Sequence, residues 1–285
     1  MPEIPSIAGD KLVENIYNAY EVEEKNKTNK LYLGRLGSSY IGNECIRQIW
    51  FNWRAFSTEN IKGRILRLFE TGHLQEERII VDLRRAGYSV YDKTPDGYQY
   101  EGIDDTGHFI TKLDGVIKGI EYSNKLHIDQ PHILEIKTHN RSSYNAVVKH
   151  GVNKSKPTHY SQVQISMKLK SISAAVYIAV CKDDERIYCE IIKEDSKEQD
   201  KLAMRIKSII EATLRPAGIS DNASAVACKF CSFKEVCIKE IEPLINCRTC
   251  THSQPIPQGR WACGLNNSIL SFDEQRAACS EHERL

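Results

Sequence analysis

The chain has 285 residues, 41% hydrophobic and 27% charged, which is enough to bury a core and excludes the disordered and fibrous classes. Lys and Arg total 39 against 38 Asp and Glu, and the net charge of +1 argues against polyanion binding over the whole surface. The longest apolar run, Ala174 to Cys181, is too short to span a membrane, and Glu3 and Asp10 disfavour a signal peptide. We expect a soluble, cytoplasmic protein without a membrane partner.

The first third of the chain is predicted to be helical. Asp10 is a favourable helix N-cap, and the apolar side chains that follow it in the sequence recur at helical spacing. Gly87 marks the end of the last helix. The predicted helices span residues 10–25, 43–56 and 62–86.

Short segments rich in β-branched and aromatic residues follow, separated by turn signals such as Pro95-Asp96-Gly97. The predicted strands are 88–91, 98–102, 108–120, 132–138, 174–181 and 186–192. The later helices are predicted at 141–150, 157–170 and 195–214. This order predicts an α/β (α+β) fold, with a mixed central sheet flanked by helices and a core that ends near residue 215.

Three charged residues in the predicted sheet are candidates for catalysis. Asp114 lies among apolar neighbours, and Glu135 and Lys137 alternate on one strand, so both project from the same face. Burying such charges is costly unless a divalent metal binds the carboxylates, while the lysine orients or deprotonates a water. This chemistry suits phosphodiester hydrolysis. Alternatively, Asp114 starts a turn with Gly115, and Glu135 and Lys137 form an ordinary charge pair on a solvated face.

A basic segment follows these residues. From Ile136 to Lys182 there is no Asp or Glu, so the remainder of the chain carries about −7. Such asymmetry suits a surface that contacts a phosphate backbone. The eight basic residues are Lys137, Arg141, Lys149, Lys154, Lys156, Lys168, Lys170 and Lys182.

In this order, the motifs resemble the PD-(D/E)XK nuclease superfamily and its RecB-like branch, which has a restriction-endonuclease-like core. The resemblance covers roughly residues 36 to 237. It matches Gly72-His73-Leu74-Gln75-Glu76 to the first motif, Asp114 to the second, Glu135 and Lys137 to the third, and Tyr160 and Gln162 to the last. It implies that Glu76, Asp114 and Glu135 bind Mg²⁺ or Mn²⁺, that Lys137 positions the water, and that Tyr160 and Gln162 orient the scissile strand.

Two details of the resemblance stay open. The family spacing favours Glu76 as the metal ligand of the first motif, but His73 and Glu77 share its helix face, and His73 is as compatible with a metal ligand as with a surface residue. The family often has Tyr four residues after the glutamine, where this chain has Ser166. This departure concerns one substrate-positioning contact and leaves the metal ligands complete.

Seven of the ten cysteines fall in the last 58 residues, and in a reducing cytoplasm this favours metal binding over disulfides. Cys228, Cys231 and Cys237 supply three thiols, one short of the usual four. The RecB-like iron-sulfur nucleases place one cysteine far upstream of such a triplet, and this implies a 4Fe-4S cluster bound also by Cys45. Alternatively, Cys45 is a buried apolar residue of its helix.

The last four cysteines form a second group. Cys247-x2-Cys250 resembles a zinc knuckle, and Cys263 and Cys279 complete four ligands, with His252 and His282 as substitutes. A tail this short can hardly build a core alone, so we expect zinc to supply much of its folding free energy. Its role is structural, or it contacts DNA or a replication or recombination protein.

The sequence thus predicts four segments: a helical lead (1–60), a nuclease core (61–215), an iron-sulfur segment (216–240) and a zinc tail (241–285). The expected function is a Mg²⁺- or Mn²⁺-dependent deoxyribonuclease, an exonuclease on single strands or free ends, in recombination, repair or phage DNA processing. The resemblance is to a phage-type member acting in a host cytoplasm. Two alternatives are a non-catalytic nucleic-acid-binding adaptor and an iron-sulfur redox sensor.

Overall fold

A computed structural model describes residues 6–27, 33–57, 61–121, 129–239 and 241–285. The predicted segment boundaries at residues 60 and 240 lie outside these ranges. The described α-helices are α1 Ser6–Lys27, α2 Ser38–Ile41, α3 Ile46–Trp53, α4 Gly63–Arg85, α5 Arg141–Ser155, α6 Pro157–Lys170, α7 Ser196–Glu211, α8 Val226–Lys229, α9 Lys234–Ile238 and α10 Phe272–Ala277. The described strands are β1 Leu36–Gly37, β2 Ser89–Tyr91, β3 Glu101–Ile103, β4 Phe109–Lys112, β5 Gly115–Lys118, β6 His132–His139, β7 Ala174–Cys181, β8 Ile187–Lys193, β9 Ser253–Ile256, β10 Arg260–Cys263 and β11 Ser268–Leu270.

A five-stranded sheet in the order β2-β5-β6-β7-β8 forms the centre of the molecule. Strands β6 and β7 pair in parallel and the other neighbours are antiparallel, so the predicted mixed sheet is confirmed. One face packs on α4 through Ile79 and Ile80, and the other packs on α5 and α6 through Val147 and Val163. Helices therefore cover both faces, which explains the nearly continuous apolar sequence of β7.

The predicted single strand 108–120 is wrong, because the structure divides it into β4 and β5. Strand β4 belongs to a separate sheet in the order β1-β4-β3, whereas β5 joins the central sheet. The chain leaves one sheet for the other at Leu113 and Asp114. There the Asp114 carboxylate accepts a hydrogen bond from the Ile136 backbone N–H at 2.8 Å, so a side chain satisfies this donor.

The aromatic residues of α3 form a second core with α7 and the C-terminal tail, in which Trp50 and Phe51 are fully buried. Helix α7 ends at Glu211, short of the predicted residue 214. The reason is tertiary, because the Ala212 carbonyl leaves the helix and accepts hydrogen bonds from Trp50 Nε1 at 3.2 Å and Arg54 Nη2 at 3.4 Å.

The tail is a three-stranded antiparallel sheet, β11-β10-β9, that packs on this core. Arg248, 2% exposed, donates hydrogen bonds to the carbonyls of Leu33, Gly34 and Trp53. Its guanidinium also lies 4.9 Å from the Trp261 ring centroid. The tail is therefore a fixed part of the described structure.

Hydropathy adds one observation about the helices. Among the described residues, no helix is both long and apolar enough to cross a bilayer.

Candidate catalytic and metal-binding sites

Asp114, Glu135 and Lys137 meet where the two sheets separate. Lys137 Nζ lies 3.8 Å from Asp114 Oδ2 and forms a closer ion pair with Glu135 Oε1. Glu135 is 1% exposed, and apart from the ion pair with Lys137 its carboxylate oxygens have no hydrogen-bond partner within the described chain. Buried carboxylate oxygens that lack such bonds are oxygen donors with capacity for a hard cation.

The electrostatics of this group follow from burial and from the charges within it. Burial raises the pKa of Glu135, an effect that Lys137 opposes and Asp114 reinforces. Burial alone would lower the pKa of Lys137, but Glu135 and Asp114 outweigh it and raise the pKa overall. Lys137 is thus an ammonium donor at neutral pH.

Glu76 joins this group from α4, and His73 does not. Burial, and next the charge of Asp114, raise the pKa of Glu76 to about 7, with Lys137 opposing the shift. The carboxylate of Glu76 is thus within electrostatic range of Asp114 and Lys137. His73 is exposed on the same helix, and Glu76 is therefore the better-placed candidate ligand from the first motif.

Tyr160 and Gln162 stand apart from the carboxylates in the described hydrogen-bond network. The Tyr160 hydroxyl donates to Asp195 at 3.5 Å, at the N-terminus of α7. Gln162 is 8% exposed, and its backbone carbonyl accepts a hydrogen bond from Ser166 Oγ. Their proposed role in orienting a DNA strand remains a prediction.

The structure also shows a polar network next to Glu135 that the sequence interpretation missed. The Tyr177 hydroxyl lies 3.1 Å from His139 Nε2 and 2.7 Å from His159 Nδ1, and Tyr177 is paired with Glu135 across β6 and β7. Burial lowers the pKa of His139 to about 4 and that of His159 to about 3, and nearby lysines contribute. Glu135, Lys137 and His139 alternate along one strand and so share a face. This spacing could have identified His139 from the sequence.

The basic segment divides into paired and site-facing residues. Arg141 pairs with Asp184 at 3.5 Å, and Lys168 pairs with Asp200 at 3.0 Å. Lys156 and Lys182 lie near His139. Burial is the main cause of the lowered pKa of His139, and the charges of these two lysines lower it further. Part of the predicted positive charge is therefore neutralised by acids outside the segment, and part lies near His139.

The first cysteine group lines one cavity. Cys45, Cys228, Cys231 and Cys237 all border it, together with Phe51 and Phe233. Cys45 precedes α3 and is half-buried, so the alternative that it is a buried core residue within its helix is wrong. Burial raises the pKa of Cys231, and the three neighbouring thiols reinforce the effect. Arg47, 7% exposed, donates to Cys237 Sγ at 3.4 Å.

The second cysteine group lines another cavity, in the tail. Cys247, Cys250, Cys263 and Cys279 border it, with His252 and His282 at its edge. Burial raises the pKa of Cys247 to about 11, and the charges of the other three thiols add to this. His282 Nε2 lies 3.1 Å from Thr249 Oγ1, and His252 Nε2 lies 3.4 Å from Glu283 Oε2. Each contact involves Nε2 and leaves Nδ1 available, so both histidines stay open as substitutes for a thiol.

Residue identity in these three groups fits metal ions: carboxylates for a hard divalent cation and thiolates for zinc or iron. Across the described ranges, no three His, Cys, Asp or Glu side chains are already arranged to hold a metal ion.

No family model and no curated protein matches this chain. Among solved structures, the alkaline exonuclease of Laribacter hongkongensis is similar at 17% identity and a TM-score of 0.43, over 62% of this chain and 86% of the exonuclease. A phage-related exonuclease from Haemophilus somnus matches at 16% identity and a TM-score of 0.42, over 63% and 93%. The protein SSO0001 matches at 14% identity and a TM-score of 0.48, over 81% and 98%.

Proposed function

We propose that the chain is a deoxyribonuclease of the PD-(D/E)XK superfamily that hydrolyses phosphodiester bonds at Glu76, Asp114, Glu135 and Lys137. The observation that carries the proposal is the meeting of two carboxylates, Asp114 and Glu135, with the Lys137 ammonium group, the Glu135 carboxylate being almost fully buried. An ordinary solvated charge pair would leave Glu135 exposed, and it is 1% exposed.

Each residue has a distinct part in the proposed reaction. A Mg²⁺ or Mn²⁺ ion, when bound by the three carboxylates, supplies Lewis-acid stabilisation of charge that develops on the phosphate. Lys137 donates hydrogen bonds to the attacking water or to a phosphate oxygen, because its ion pairs keep it protonated. Asp114 is fixed by the Ile136 N–H. The side chains around it are therefore held in place before substrate arrives.

Positive charge near the proposed catalytic residues favours DNA, a polyanion, as the substrate. Lys156 and Lys182 approach the same part of the molecule as Lys137. We propose single strands or free ends as the substrate, and recombination, repair or phage DNA processing as the setting. A non-catalytic adaptor would need no buried carboxylate group of this kind.

Substitution at the site tests the catalytic proposal. We expect Asp114→Asn, Glu135→Gln and Lys137→Gln each to reduce Mn²⁺-dependent cleavage of labelled single-stranded DNA by about 100-fold or more, since each removes a charge that acts on the phosphate. DNA binding should survive. Cleavage is followed on gels, with EDTA as the metal-free reference.

Glu77→Gln is the matched control, because Glu77 lies beside Glu76 on α4 with an exposed side chain. It should retain wild-type cleavage. Full activity in Asp114→Asn or Glu135→Gln would reject the site. Absence of cleavage by the wild type with both metals, together with tight DNA binding, would favour the adaptor.

The cysteines of the first cavity extend the proposal to the RecB-like iron-sulfur branch. Cys45, Cys228, Cys231 and Cys237 would bind a 4Fe-4S cluster, and the cluster would tie the start of α3 to the segment after α7. Arg47 bonds to Cys237 Sγ and to Asp221 at 3.0 Å in the same region. A redox sensor would require the cluster to cycle reversibly, whereas this linkage between distant segments supports a structural role.

The tail thiols are proposed to bind one zinc ion. Cys247, Cys250, Cys263 and Cys279 border one cavity within a small sheet. Zinc bound by thiolates would replace the hydrophobic core that so few residues cannot form. Docking to a replication or recombination protein is a further role open to this tail.

A further inference from the structure

A third cavity lies between the zinc tail and the β1-β4-β3 sheet, with a volume of about 410 Å³. On one side it is bordered by Arg35 and by alternate residues of β4, and on the other by residues of the tail. The opposite face of β4 is core, since Phe109 and Thr111 are fully buried. Strand β4 thus separates the hydrophobic core from an open polar cleft, which we call the tail cleft.

The tail cleft is basic. Arg35, Lys112, Arg248 and Arg276 border it, against one acid, Glu101. Lys112 pairs with Glu101 at 3.4 Å, and Arg276 pairs with an exposed aspartate. Basic side chains thus outnumber acidic ones along the border of the cleft, in a chain whose overall charge is only +1. Such a concentration of cations in a concave surface attracts a polyanion.

The tail cleft also contains an exposed aromatic side chain. Phe272, at the start of α10, is 56% exposed, and the Arg276 guanidinium lies 5.7 Å from its ring centroid. Cations for phosphates beside an exposed ring for a base are the components of a single-strand binding groove. An acidic polypeptide would use the cations and gain nothing from ring stacking.

Position links the tail cleft to the carboxylate site. Lys112 is the last residue of β4, two positions before Asp114. The Cα atoms of Lys112 and Asp114 therefore lie no more than about 7 Å apart, so one end of the cleft is close to Asp114.

The tail holds its side of the cleft rigidly. Gly259 N donates to Thr106 O at 2.9 Å, and His108 Nε2 lies 2.9 Å from Ile256 O. Arg248 is fixed by three backbone carbonyls. The cleft therefore exists before a ligand binds, which reduces the entropic cost of binding.

We propose that the tail cleft binds the DNA strand that extends from the catalytic site, with Arg35, Lys112 and Arg276 contacting phosphates and Phe272 stacking on a base. The proposal rests on the proposed nuclease function and assigns the tail a role in substrate binding. In this proposal, the tail residues contact the same DNA strand that the catalytic residues around Asp114 cleave.

Binding of a fluorescein-labelled 20-nucleotide oligo(dT), measured by anisotropy in EDTA at several salt concentrations, tests the proposal. The double variant Arg35→Gln with Arg276→Gln should lower the slope of log K against log salt by about 1.4, because each phosphate contact on a single strand contributes about 0.7. The matched control is Lys207→Gln with Lys239→Gln, which loses the same charge at exposed sites on α7 and just after α9. An unchanged slope in the cleft variant, or an equal loss in the control, would overturn the proposal.

Phe272→Ala isolates the stacking contact. It should weaken oligo(dT) binding by about tenfold, within the range for one stacked base, and Phe272→Tyr should restore binding. Equal melting temperatures of the variants verify folding. No effect of Phe272→Ala, combined with tight binding of polyglutamate that the Arg35→Gln and Arg276→Gln variant loses, would instead assign the cleft to an acidic protein partner.

These measurements separate the cleft from the proposed function. The binding assays are done in EDTA, without a divalent cation. They therefore report DNA binding by the cleft even if the protein cleaves no DNA. Conversely, if the wild type cleaves DNA in Mn²⁺ while the cleft variants bind oligo(dT) normally, the proposed nuclease function stands and the proposed role of the cleft is wrong.

Discussion

At the scale of single residues, the ionised form of Glu76 is destabilised in the folded chain, and a bound cation would stabilise it. Its pKa is raised from 4.5 to about 7 by burial and by Asp114. The folded chain therefore binds a proton more tightly than the unfolded chain between pH 4.5 and 7. The free energy of unfolding falls as pH rises through this window, by about 1 to 2 kcal/mol because solvent screens this partly exposed side chain, and the stability present below pH 4.5 is lost above pH 7.

Glu76→Gln should remove this pH dependence. In EDTA, the variant and the wild type should have similar stability at pH 4.5, and the variant should be more stable by about 1 to 2 kcal/mol at pH 8, since solvent screens part of the interaction. The difference between the two proteins, measured by urea unfolding, cancels the titration of groups that do not interact with Glu76. Mn²⁺ should reverse the order at pH 8 by stabilising the wild type. A difference that does not change with pH would contradict this account of Glu76.

The alternation of Glu135 and Lys137 was predictable because a strand has a side-chain period of two, and the structure places them together. Their meeting with Glu76 was not predictable from periodicity, because it depends on how α4 packs on the sheet. Only the resemblance of the motif to a known family indicated it.

At the scale of elements, the sequence predicted the type of most helices and strands, and it failed where tertiary contacts set the ends. The segment 108–120 has strand-like composition throughout, yet Asp114 breaks it by capping the Ile136 N–H. Likewise α7 stops because the Ala212 carbonyl bonds to Trp50 and Arg54. Both partners are distant in sequence, so no local pattern encodes them.

Two turns that touch give a prediction at this scale. Gly107 and Gly259 have φ of 74° and 69°, and a Cβ on Gly107 would lie 2.5 Å from Gly259 N. We expect Gly107→Ala to displace the tail and to lower the free energy of unfolding by about 3 kcal/mol. Thermal unfolding and proteolysis of the tail provide the measurement.

Gly97→Ala is the control for Gly107→Ala. Gly97 also has a positive φ, 84°, but a Cβ there would meet no atom within 4 Å. It should cost about 1 kcal/mol for backbone strain alone. If both variants lose the same stability, the contact between the two turns contributes nothing to tail docking.

At the scale of the whole molecule, the two cysteine groups connect distant parts of the chain in different ways. The first brings the start of α3 near residues beyond α7, so its four cysteines come from distant parts of the sequence. The second joins residues within the tail. Tail docking then depends on Arg248 and Arg54, the latter 1% exposed and bonded to the Arg248 carbonyl at 2.9 Å. Each proposed metal should therefore stabilise a different part of the molecule.

Independent loss of the two metals is the corresponding prediction. Cys45→Ser removes one ligand from the first cavity and leaves the tail thiols in place, so the purified protein should lose its iron and brown colour and retain about one zinc per chain. Cys250→Ser should release the zinc while the colour remains, because that thiol borders only the tail cavity. Elemental analysis and absorbance spectra of anaerobically purified protein provide the measurement. Wild-type iron content in Cys45→Ser would show that the fourth ligand is not Cys45. Loss of both metals from either variant would mean that the two sites fold as one unit.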